Sequence, residues 1–187
     1  MANKDAAFGL RPIGKVGQNA DNNGLSEYDI AASASAIYFN DPVEILSTGT
    51  IGVAAATDAL LGSLTGVFFT DATTSKPTFA NHLNASNTAT DIVGFVSDDP
   101  YQRFEIQSDG ATEATDVGQN ADIVYAAGSS PDFVSKVELD ESDHKDATAQ
   151  LRIIGISKDP ENNTAGSANV NLVVIINEHQ LKGTTGV

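Results

Sequence analysis

Residues 169–177 read NVNLVVIIN. Val170, Leu172, Val174 and Ile176 fall on one side of an extended chain and Val173 and Ile175 on the other, because successive side chains of a strand point to opposite faces. A strand apolar on both sides is either central to two packed layers or covered by another subunit, which makes Val173 and Ile175 candidates for a subunit interface. Residues 150–157 read similarly, with Ile153 and Ile154 on opposite sides. Residues 101–107 are the ordinary two-faced case, in which Phe104 and Ile106 alternate with Arg103, Glu105 and Gln107.

Further short runs rich in Val, Ile, Phe and Tyr occupy 25–32, 36–46 (broken by Asp41-Pro42), 50–54, 66–70, 92–97, 123–126 and 134–139, between clusters of Gly, Asn, Asp, Ser and Thr. This spacing predicts an all-β fold, a single β-sandwich or β-barrel-like domain with long polar loops. Residues 54–64 are the best helix candidate, although Gly52, Gly62 and Gly66 interrupt them. Residues 71–91 and 140–148 are polar and are expected to be exposed excursions.

The chain has 187 residues, no cysteine, and 25 Asp and Glu against 10 Lys and Arg, for a formal net charge of -15. Without cysteine there is no disulfide framework, thiolate zinc site or cysteine nucleophile. The acidity repels phosphate backbones, so no nucleic-acid partner is expected. No membrane partner is expected either, because the longest aliphatic run, 172–176, is too short to cross a bilayer. Residues 1–15 lack the apolar core of a signal peptide. With 41% hydrophobic and 19% charged residues, the composition is that of a folding chain.

Residues 1–15, MANKDAAFGLRPIGK, stand apart: Lys4, Arg11 and Lys15 face one acid, Asp5. Pro12 lacks an N–H and biases Arg11 toward extended geometry. Residues 1–24 therefore read as an extended N-terminal arm with a hinge at NADNNG (19–24), and residues 25–187 as the β-rich body. The arm is expected to be mobile in the free protein and ordered on a partner. Phe8 and Leu10 are its apolar anchors, and Arg11, Pro12 and Lys15 complete the partner-binding set. VGQNAD occurs at 16–21 and again at 117–122, but neither flank extends the match, so no repeat architecture is inferred.

Chemistry-bearing motifs are sparse. His82, His144 and His179 lie in separate contexts, and nucleophile elbows, phosphate loops and dinucleotide fingerprints are missing. The expectation is a protein that is not an enzyme and needs no cofactor or metal. Asp140, Glu141, Asp143 and Asp146 crowd four carboxylates together and are weak metal candidates. They do not match a calcium loop, and His144 and Lys145 dilute them, so a solvated loop is favoured.

In order along the chain, AAFGLRP (6–12), DPV (41–43), DDP (98–100) followed by FEIQ (104–107), TDVGQNAD (115–122), VELD (137–140), QLRIIGI (150–156), DPEN (159–162) and NLVVIINEHQ (171–180) resemble a family of small head proteins of tailed, especially marine, phages, found beside the major capsid protein. Family members usually have proline where this chain has Ala7. The resemblance implies a structural virion protein, made in the host cytoplasm, that decorates and cements the outer surface of an icosahedral capsid by bridging neighbouring capsid subunits. Its implied partners are the major capsid protein and further copies of itself, expected as a trimer. The alternative is a carbohydrate- or surface-binding β-sandwich module of a virion or extracellular protein. That reading expects aromatic platforms, and this chain has no Trp.

Overall fold

The computed structural model describes residues 2–17, 24–145 and 147–183, without the side chains of Asp143 and Lys145. Among them the strands are β1 (Arg11–Lys15), β2 (Ser26–Asp29), β3 (Pro42–Ile45), β4 (Ile51–Val53), β5 (Gly62–Thr70), β6 (Pro77–Ala80), β7 (Val93–Ser97), β8 (Gln102–Gln107), β9 (Asn120–Val124), β10 (Glu138–Lys145), β11 (Leu151–Ile156) and β12 (Asn171–Ile176). One 3₁₀ turn, Ala114–Asp116, is the only helical element among the described residues. The fold is all-β. Two antiparallel sheets pack together, consistent with a β-sandwich: sheet A in the order β1-β8-β12-β11-β9-β10, and sheet B as β2-β7-β5-β3-β4 with β6 on β5. Sheet A is strongly curled, so that Leu139 of β10 meets Ser108 at the end of β8.

Each sheet buries the face that its alternating sequence dictates. Leu10, Phe104, Ile106, Ile123, Leu151, Ile153, Leu172, Val174 and Ile176 are among those in the sheet A cluster. Ile37, Val43, Ile51, Leu61, Leu64, Val67, Ile92 and Val96 belong to that of sheet B. Residues 54–64 are not a helix. Leu60 and Leu61 enter different clusters, because the N–H of Leu60 donates to Glu178 O and that of Leu61 to Val43 O, each at a sheet edge. Consecutive leucines pointing opposite ways require extended backbone, whereas a helix would have put both on neighbouring positions of one surface. Gly62 follows because a Cβ there would lie 2.2 Å from Ser97 O.

The excursion at 71–91 contains β6, whose Phe79 pairs across from Phe68 of β5. Phe68, Phe79 and Phe95 form an aromatic stripe on the outer face of sheet B, with ring centroids 4.8 and 6.4 Å apart and Phe79 74% exposed. Residues 140–145, expected to begin an exposed excursion, continue β10 (Glu138–Lys145) instead. The alternation of Glu138 and Leu139 carries the strand in, and a register shift between Leu139 and His144 absorbs the polar stretch.

Candidate functional site

The segment set apart by charge is not set apart in the fold. β1 pairs antiparallel with β8, Arg11 opposite Glu105 and Pro12 opposite Phe104, so Arg11–Lys15 belong to sheet A of the body. Leu10 is fully buried in the sheet A cluster and is a core residue in this fold, not a free anchor. Phe8 is partly buried under the Arg11 guanidinium, 4.4 Å from its ring centre. Arg11 forms an ion pair with Glu105, and Lys15 pairs with Asp99 at 2.9 Å. Gly9 takes φ +73°, and a Cβ on it would lie 2.4 Å from Ser135 Cβ and 2.5 Å from Asn40 O.

Upstream, buried amides hold the backbone. Gln107 donates to Lys4 O at 3.0 Å and accepts from Ala6 N–H at 2.8 Å, while Asn162 donates to Lys4 O at 2.7 Å and accepts from Lys4 N–H at 3.1 Å. A cationic segment tethered to an acidic body finds that body first, because tethering raises its effective concentration. Residues 19–23 of the expected hinge lie outside the described residues. As an edge strand β1 could add a further strand from a neighbour, yet Pro12, the register shift between Pro12 and Gly14, and Lys15 are the devices that discourage such pairing.

Val173 and Ile175 lie on the outer face of sheet A and are partly exposed. Register places Ile175 between Arg103 of β8 and Arg152 of β11, and Val173 between Glu105 and Gly155. Arg11 lies beyond Glu105 on β1. The chain has only three arginines, and all three are on this face. Glu105 is spent internally, on Arg11 and on the Ser157 hydroxyl. Arg152 donates to the side-chain oxygens of Asn120 and Asn177 at 2.9 and 3.2 Å, and the buried Nε of Arg103 has no hydrogen-bond partner. The result is an aliphatic centre flanked by guanidinium groups without carboxylate partners among the described residues, which is the residue chemistry of a protein interface.

Other candidates assemble less. Among the described residues no three His, Asp or Glu side chains gather as a metal site. Of the four acidic candidates, Asp140 accepts from the Ser142 N–H and hydroxyl, and the Glu141 N–H donates to Asp109. Asp146 lies outside the described residues, as does the side chain of Asp143. The histidines are dispersed: His82 stacks on Phe133 at 3.8 Å, His144 sits 3.9 Å from Asp116, and His179 is buried with its Nδ1 accepting from Leu181 N–H.

A cleft of about 670 Å³ opens between β1 and sheet B, lined by Lys15, Ser26, Thr65, Asp98, Asp99 and Leu181, among others. Its charged groups are already engaged: Asp98 accepts from the Ser26 and Tyr28 hydroxyls at 2.9 and 2.6 Å, and Asp99 holds Lys15. Burial, and then Asp98, push the Tyr28 phenol up and keep it protonated. Asp41 is a separate case. Its carboxyl is fully buried, accepts the Tyr38 N–H at 2.7 Å and is pushed up to about 6 by burial, against the opposing pull of Ser135 and Tyr38.

Residue types alone did not reveal the buried amides. Gln150 donates to Ala55 O and Asp58 O at 2.8 and 2.7 Å, and Gln180 accepts Ile45 N–H and donates to Ile45 O as a strand would. Their signal was position: Gln107, Gln150, Asn171 and Asn177 end or begin apolar runs, where unpaired backbone groups need partners. No family model matches this sequence, and no curated protein or solved structure is significantly similar to it.

Proposed function

We propose that the chain is a structural, non-enzymatic protein of a tailed-phage head that decorates and cements the capsid surface by bridging neighbouring capsid subunits. The observation that carries this reading is the outer face of sheet A, where Val173 and Ile175 lie partly exposed among all three arginines of an acidic chain. The stretches that carry the resemblance to phage head proteins come together in the fold. AAFGLRP, FEIQ, DPEN and the start of NLVVIINEHQ meet in space, where Gln107 accepts from the Ala6 N–H at 2.8 Å and donates to Asn171 at 3.2 Å, and Asn162 donates to Asn171 at 3.5 Å. Those stretches therefore pack into one part of the body, and attachment falls to its faces. Binding only the assembled shell stabilises that shell, and many modest contacts add across symmetry-related sites.

The test is made on particles. Quantitative mass spectrometry of purified virions should find this chain at a copy number comparable to the capsid subunit, and adding the pure protein to undecorated particles should raise the temperature at which they rupture. Trace copies in virions, or undecorated particles as heat-resistant without the protein as with it, would overturn the reading. The carbohydrate-binding alternative draws on the exposed Phe79 ring beside Phe68. A glycan screen that selects a ligand released by Phe79→Ala would establish it instead.

A further inference from the structure

The outer faces of the two sheets are complementary. On sheet A, Ile175 sits between Arg103 and Arg152, two strands apart and therefore roughly 10 Å from each other. On sheet B, β2 exposes Glu27 and Asp29, which lie on one face about 7 Å apart because they are two residues apart on a strand. Register sets Glu27 beside Phe95 and Asp29 beside Val93 on β7, and Phe68 and Phe79 continue the same face. Among the described residues no cation pairs with Glu27 or Asp29, and no carboxylate pairs with Arg103 or Arg152. One face is aliphatic with guanidinium groups that no described carboxylate pairs, and the other is aromatic with carboxylates that no described cation pairs.

We infer that the outer face of sheet A on one copy docks on the outer face of sheet B of the next, Arg103 and Arg152 meeting Glu27 and Asp29 while Val173 and Ile175 pack on Phe79 and its neighbours. The occupant is a second copy of this chain because the same molecule carries both halves of the match. The contact is heterologous, with different patches on the two partners, so it forms a closed ring or a chain rather than a two-fold dimer. Docking gives the Arg103 guanidinium the carboxylate partner it lacks among the described residues, beside aromatic rings. The inference rests on the proposed reading as a decoration protein, whose resemblance implies further copies of itself as partners, and names the surfaces that perform that self-association.

Two face variants of the full chain test it, Arg103→Glu with Arg152→Glu, and Glu27→Lys with Asp29→Lys, followed by sedimentation over a concentration series at low salt. The wild type should associate, with a mass that falls as salt rises. Each variant alone should be monomeric, because both partners of every contact it could make now carry like charges. Their mixture should co-assemble in one-to-one stoichiometry as alternating chains or even-membered rings: the reversed faces of the two variants match each other, and so do their native faces, but each copy's own two faces no longer do. A chain carrying all four changes should regain self-association.

Association by both variants as strong as that of the wild type would overturn the face assignment while leaving self-association standing. A monomeric wild type would overturn both. A mixture that stays monomeric, with circular dichroism showing both variants folded, would also overturn the pairing. Virion copy number is read separately, so the capsid reading can fail or stand independently.

Discussion

Residues 2–17 and the outer face of β12 exchange the roles that their compositions suggest. The first is short, cationic and irregular, and looks like a segment in search of a partner, yet its Leu10, Arg11 and Lys15 are all taken up by its own chain. The second lies in the most core-like stretch of the sequence, yet Val173 and Ile175 remain partly exposed. The difference shows that composition states what a segment needs, and only the fold states who supplies it. The N-terminal segment needed acids, a pocket and backbone partners, and Glu105, Asp99, Gln107 and Asn162 were within its reach. The second face of β12 needed an apolar cover, and no described element of the chain provides one.

The largest test is to delete residues 1–15. If the segment belongs to the fold, removing a sheet strand, a core leucine and the Gln107 and Asn162 contacts should cost more than the roughly 5 kcal/mol at the lower end of domain stability. The truncated chain should then be insoluble or lack a cooperative thermal transition, and a folded truncate with an unchanged melting temperature would restore the free arm. Next, Leu10→Ala and Leu172→Ala should each destabilise by about 2–5 kcal/mol in urea titrations, because both remove fully buried side chains from one cluster. A near-zero cost for Leu10→Ala alone would place its side chain elsewhere.

Asp41 offers a test with the opposite sign, at the junction where residues 8–10 meet 38–41 and 133–135. Its folded carboxyl ionises near 6 rather than at 3.8, so the folded state binds more protons than the unfolded one between those values, and stability falls as pH rises through that window. The whole shift amounts to ~3 kcal/mol. Asp41→Asn keeps an acceptor for the Tyr38 N–H, and should be more stable than the wild type above pH 6 by up to that amount. The gain should vanish below pH 4, and a gain that does not change with pH would point to another cause. The smallest effect is expected at Ile175→Ser, which should change the stability of the monomer by less than about 1 kcal/mol, since the side chain is only partly buried. A loss as large as that of Leu172→Ala would mean that this face is covered within the chain.

The sequence by itself determined the all-β class, because alternation with period two is a local property of an extended chain. Phe104 with Ile106, and Leu172 with Val174, show it without reference to anything distant. It also located Val173 and Ile175 as the unusual face, and the net-positive opening as a segment that must find acids. The tertiary structure decided the rest. Leu60 and Leu61 diverge because two sheet edges, at Glu178 and Val43, claim adjacent N–H groups. Gly9 is glycine because Ser135 and Asn40 crowd it from more than 30 positions away along the chain. Three arginines far apart in sequence share one face because β1, β8, β12 and β11 are neighbours in sheet A. Strand order and register are set by contacts between distant segments, and no window of the sequence contains both members of such a contact.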